Sequence, residues 1–123
     1  MKESFYIFIG GGLGSVSRYW LSKGVNSLYL GSFPAGTLVC NLVGCFLIGL
    51  WMVMMAQRFL INPYLRMFLC IGFLGGLTTF STFSYETLSL FEGRSYLWAG
   101  LNILASLVGC LTAVYLGSLL AKA

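Results

Sequence analysis

The sequence predicts an all-α membrane protein of four transmembrane helices, the third of them broken near its middle. Three observations carry that prediction. Of 123 residues, 59% are hydrophobic and 8% charged, whereas a soluble domain holds about 25% charged residues. About 20 apolar residues cross a bilayer once, so this length allows four crossings with short connections, a single domain over residues 1–123. Finally, one long apolar run contains Gly72-Phe73-Leu74-Gly75-Gly76-Leu77-Thr78-Thr79-Phe80-Ser81-Thr82-Phe83, a composition that opposes a continuous helix.

The first span is expected over residues 5–21. Met1-Lys2-Glu3 has the look of a signal-peptide start, but no small-residue cleavage site follows, so the segment reads as a retained helix. Gly10 and Gly14 form a small-xxx-small pair that lets another helix approach closely. Arg18 lies among apolar and aromatic neighbours, where it either snorkels to the interface or draws anions into a vestibule.

Lys23, Gly24, Asn26 and Gly31 read as breakers in a connection over residues 22–33. Pro34 suits the first turn of a second span over residues 34–57. Thr37, Asn41, Gly44 and Cys45 share one face of that helix. Asn41 serves there either as an interhelical hydrogen-bonding group or as a carboxamide donor for an anion.

Asn62-Pro63 marks a turn within the second connection, residues 58–66. The third span covers residues 65–91. Gly75 and Gly76 each cost about 1 kcal/mol relative to Ala inside a helix, and the break is expected there. Thr78, Thr79, Ser81 and Thr82 add hydroxyls that compete for backbone hydrogen bonds. Irregular backbone at membrane depth survives where protein buries it or where it lines a watery cavity. Two readings follow: an ion or substrate site, or a kinked helix packed through small residues. Phe80 and Phe83 fall on one face amid the hydroxyls, and Glu86 lies one turn beyond, placed to cap a vestibule or pair with an arginine.

Gly93-Arg94-Ser95 forms the last turn before a fourth span over residues 96–120, with Tyr96 and Trp98 at the interface. Asn102, Ser106 and Cys110 make one weakly polar stripe on it, facing the phenylalanines across a pore or simply packing.

Several function classes drop out. The net charge of +4 comes from scattered Lys and Arg without a basic run, which argues against nucleic acid. Cys40, Cys45, Cys70 and Cys110 form no CxxC pair and the chain has no His, so they read as reduced packing residues. With neither His nor Asp, no base sits beside a nucleophile, and the chain is not expected to be an enzyme. A proton-coupled multidrug-type exporter needs a carboxylate within the first helix, and Glu3 precedes that span. A structural assembly protein would explain the glycines but not the Phe80–Phe83 hydroxyl cluster. Lys2, Arg58, Arg66 and Lys122 are expected on one side against Arg18, Lys23 and Arg94 on the other, too even a distribution to fix one orientation.

The run from Gly72 to Phe83, with Gly11-Gly12-Leu13-Gly14, Arg18-Tyr19, Gly36-Thr37-Leu38, Asn41 and Gly44, resembles the small fluoride channels known as Fluc or CrcB proteins. The resemblance implies a passive fluoride channel of the bacterial inner membrane that releases cytoplasmic fluoride, working as a dual-topology antiparallel homodimer. It implies a structural sodium ion (Na+) at the dimer centre, held by backbone carbonyls of Gly75 and Thr78. It also implies a fluoride pathway along Asn41, Phe80, Ser81, Thr82, Phe83 and Ser106. Fluoride is small and strongly hydrated, so a narrow pore must replace its water with convergent donors. Amides and hydroxyls do this, and a phenyl ring offers its positive edge.

Overall fold

The computed structural model describes residues 1–57 and 62–123. Among these every regular element is helical. Helix α1 spans Lys2–Leu28 and α2 spans Ala35–Gln57. The third segment is composite: α3 (Pro63–Arg66), a π-helical stretch Met67–Phe73, α4 (Leu74–Leu77) and α5 (Phe80–Glu92). Helix α6 spans Tyr96–Lys122.

Among the described residues, three segments are long and apolar enough to cross a membrane: Ala35–Gln57, Pro63–Glu92 and Tyr96–Lys122. Helix α1 has 27 residues, but Ser15, Ser17, Arg18, Ser22 and Lys23 dilute its apolar character. It also runs well past the expected end at Leu21, taking in Lys23, Gly24 and Asn26. One exposed glycine costs a helix only about 1 kcal/mol, and Asn26 acts at a distance instead of breaking its own helix. Its Oδ1 accepts from the Gly36 N–H at 3.0 Å, which satisfies a free donor in the first turn of α2. At the other end of the chain path, Asn62 caps α3 by accepting from the Tyr64 N–H at 3.0 Å. Arg58 lies outside the described residues.

Helix α1 packs along the third segment and α2 along α6, with α1 also touching α2. Small residues allow both principal contacts. A Cβ on Gly10 would strike the Phe68 carbonyl oxygen, and one on Gly14 the Phe73 carbonyl oxygen. From the facing helix, Gly72 lies against the Ile7 carbonyl and Gly76 against the Gly11 carbonyl. Two small-xxx-small pairs therefore interlock backbone to backbone, the arrangement that dispersion forces reward in lipid. Gly49 against the Val114 carbonyl and Gly117 against the Phe46 carbonyl do the same for α2 and α6.

The break lies at Thr78 and Thr79, not at the glycine pair. Gly75 and Gly76 are helical within α4. Contact with α1 holds Gly76 in place and outweighs its poor propensity. Thr78 (φ −88°, ψ 154°) and Thr79 (φ −153°, ψ 121°) are both extended.

Candidate functional site

Thr79 begins α5 as its N-cap, its hydroxyl accepting from the Thr82 N–H at 3.2 Å. That hydroxyl also donates to Thr82 Oγ1 at 3.1 Å and lies 3.2 Å from Ser81 Oγ. The three hydroxyls thus form one cluster on the first turn of α5.

Across from the cluster, Asn41 of α2 engages the Thr79 backbone twice. Its Oδ1 accepts from the Thr79 N–H at 2.8 Å, and its Nδ2 donates to the Thr79 carbonyl at 3.1 Å. In a continuous helix the Thr79 N–H would close the turn on the Gly75 carbonyl. The Thr82 N–H, the helical partner of the Thr78 carbonyl, goes to the Thr79 hydroxyl. Among the carbonyls that the break leaves without a helical partner are those of Gly75 and Thr78. Arg18 turns inward to the second of these, its Nη1 donating to the Thr78 carbonyl at 3.2 Å. The sequence left Arg18 either snorkelling to the interface or drawing anions into a vestibule; its guanidinium reaches the break in the third segment.

A cavity of about 490 Å³ opens beside the break. Asn41, Gly75, Thr78, Thr79, Phe80, Phe83 and Ser106 contribute to its wall, and none of its described lining residues is charged. The Phe80 and Phe83 rings lie 5.3 Å apart between centroids, tilted by 48°. Phe83 is buried, whereas Phe80 is 74% exposed in the single chain. Ser106 is buried with its Oγ unpartnered, a donor that ordinarily finds a partner. The sequence patterning that put Asn41 and the phenylalanines on single helical faces thus marks residues that converge here. Ser81 and Thr82 do not line the cavity; they are exposed on the outer side of α5.

Glu86 stands apart from the cavity, its Oε1 accepting from the Thr37 hydroxyl at 2.8 Å and its Oε2 buried without a partner. Thr87 escaped sequence reasoning. Its hydroxyl accepts from Asn102 Nδ2 at 2.9 Å and donates to the Phe83 carbonyl at 2.7 Å. Nothing in the local sequence marks it, since Thr on an α-helix commonly bonds back one turn.

Such a fold and site define a multi-pass helical membrane protein whose uncharged, largely apolar cavity, with a few polar groups in its wall, adjoins a broken span. The chain belongs to the CrcB-like family: the family model described as "CrcB-like protein, Camphor Resistance (CrcB)" matches residues 5–118. It is 50% identical to the fluoride-specific ion channel FluC of Geotalea uraniireducens, over 100% of this chain and 99% of that one. A channel of the same name from Citrifermentans bemidjiense is 49% identical over the same shares, 100% and 99%. Another from Ruminiclostridium cellulolyticum is 47% identical over 99% of this chain and 96% of that one. Neither the exporter nor the assembly-protein alternative finds support among these relatives.

Proposed function

We propose that this chain is a passive fluoride-selective channel that lets fluoride leave the cytoplasm across the bacterial inner membrane. The observation that carries the reading is the uncharged cavity at the break, where phenyl rings and an unpartnered buried hydroxyl meet. A fixed Arg or Lys would hold a small anion tightly and slow its exit, whereas weak donors permit conduction. Ser106 offers a free O–H, and Asn41 keeps its second Nδ2 proton after serving Thr79. Ring edges of Phe80 and Phe83 add weak attraction. Glu86 and Thr37 then belong to a vestibule at the end of the path.

Helix α1 is the fourth crossing in this reading. Its 27 residues make about 40 Å of helix, enough for a bilayer core near 30 Å. The outer face of α5 supports the reading of an antiparallel homodimer. Phe80, Ser81, Thr82, Ser84 and Tyr85 are exposed in the single chain, and hydroxyls at that depth are better met by protein than by lipid. The freed carbonyls of Gly75 and Thr78 suit a monovalent cation, since unwound carbonyls of broken helices bind sodium. When bound, that ion would offset the carbonyl dipoles and raise the local potential for anions.

Efflux from liposomes holding only this protein tests the function. Fluoride should escape while chloride is retained. Equal loss of both, or of neither, would overturn the reading.

A further inference from the structure

We propose that Asn102 and Thr87 are positioning residues that set the width of the anion path, by tying Phe83 to α6. The proposal rests on the reading that Phe83 lines the path. Asn102 is 1% exposed, and a buried carboxamide is costly unless bonded. Its bond polarity is fixed. Thr87 spends its only hydroxyl proton on the Phe83 carbonyl at 2.7 Å, so its oxygen accepts and Asn102 Nδ2 must donate, at 2.9 Å.

The other side-chain bonds that hold α5 in place come from α2: Thr37 to Glu86, and Asn41 to Thr79 just before its first turn. Among the described residues, Asn102 supplies the side-chain hydrogen bond between α5 and α6. Ser106 lies one turn along α6 from Asn102, and Phe83 one turn along α5 from Thr87, so both ends of this bond lead directly to the cavity wall. Fixing Asn102 to Thr87 fixes the Ser106 hydroxyl relative to the Phe83 ring. The cavity wall is held there by a bond of definite length rather than by adaptable packing.

Asn102→Leu, Thr87→Val, the double variant, Thr87→Ser and Phe83→Ile, each purified as the dimer and compared in fluoride and chloride efflux, provide the test. Each of the first two should lower fluoride flux about tenfold, the kinetic equivalent of one misplaced hydrogen bond. Thr87→Ser keeps the hydroxyl and should conduct like wild type. The double variant separates positioning from stability, because removing both polar partners restores a satisfied apolar contact. Flux should stay low in it although thermal stability recovers. If Asn102→Leu does not fold, Thr87→Val and the double variant carry the comparison. Flux that recovers in the double variant, or single variants that conduct normally while Phe83→Ile does not, would overturn the positioning role alone. Normal flux in Phe83→Ile would remove the path reading and this proposal with it.

Discussion

The carboxamide of Asn41 stands in for a β-strand neighbour at Thr79. Extended backbone presents the N–H and C=O of one residue to the same side, and a paired strand would meet both. Asn41 meets them at 2.8 and 3.1 Å. A single side chain on α2 therefore accounts for a break that would otherwise leave two backbone groups unsatisfied in the membrane. Because the Thr79 N–H is taken by Asn41, the Gly75 carbonyl loses its helical partner.

Asn41→Leu should lower fluoride flux at least tenfold. It strands the Thr79 N–H and C=O, each costing about 1–3 kcal/mol when buried unpaired, and favours closing the turn onto Gly75. Asn41→Asp should be worse, since a carboxylate faces the Thr79 carbonyl and repels the anion. Flux assays on the purified proteins check both, and full flux from Asn41→Leu would refute the role.

The two central glycines should separate cleanly. Gly76→Ala drives a Cβ into the Gly11 carbonyl, backbone that cannot yield without parting α1 from the third segment. Thermal melting should show a loss of several kcal/mol, at the upper end for overpacking. Around Gly75 nothing lies within 4 Å of an added Cβ. Gly75→Ala should leave the protomer folded and weaken the dimer, if Gly75 lies at the dimer axis. An unchanged monomer–dimer equilibrium would place Gly75 elsewhere.

Sodium is expected to support the dimer. Replacing it wholly with a large organic cation should weaken self-association and lower fluoride flux together. Arg18 adds a second expectation, because its guanidinium already sits on the Thr78 carbonyl. Arg18→Gln keeps a donor and removes the like charge, so half-maximal stabilisation should fall at a lower sodium concentration. Dimer stability indifferent to sodium in both proteins would exclude the cation.

Dual insertion is the remaining assembly prediction. With Arg18 turned inward, Lys23 and Arg94 remain at one end, and the sequence puts Lys2, Arg58, Arg66 and Lys122 at the other. A difference of two charges gives the positive-inside rule only a weak bias to act on. Single cysteines in a background lacking the native four should be labelled from both sides of the membrane. Labelling confined to one side would contradict it.

The all-helical class and the composite third segment were legible because hydropathy and glycine content act locally. The position of the break was not. Propensity points at Gly75-Gly76, but α1 packs against Gly76 and keeps that turn helical, while Asn41 opens the next one. Both causes are tertiary. Ends of α1 were misjudged for a related reason: Asn26 spends its side chain on Gly36, ten residues away, and leaves its own helix intact. Asn41 stood out in the sequence as an amide in an apolar span, though whether it faced backbone or anion depended on a partner 38 residues distant. Thr87 was invisible because only Asn102 gives its hydroxyl meaning.

The ring pair bears the functional claim most directly. Phe80 and Phe83 stand 5.3 Å apart at the cavity wall, one exposed and one buried. Substituting either by Ile keeps apolar bulk and removes the quadrupole whose positive edge attracts an anion. Apolar swaps of similar size usually cost under about 1.5 kcal/mol, so the protein should still fold. Exposure sharpens the comparison. Phe80→Ile touches little within its own chain and should leave protomer stability almost unchanged, whereas Phe83→Ile should lower it modestly. Flux should nonetheless fall steeply in both, because conduction depends on the rings and not on the stability they contribute. A flux loss that tracked stability would instead leave Phe80→Ile conducting normally and Phe83→Ile impaired. Efflux and thermal melting measured on the same preparations distinguish the two patterns. A folded Phe80→Ile, Phe83→Ile double variant with wild-type fluoride flux would reduce both rings to packing.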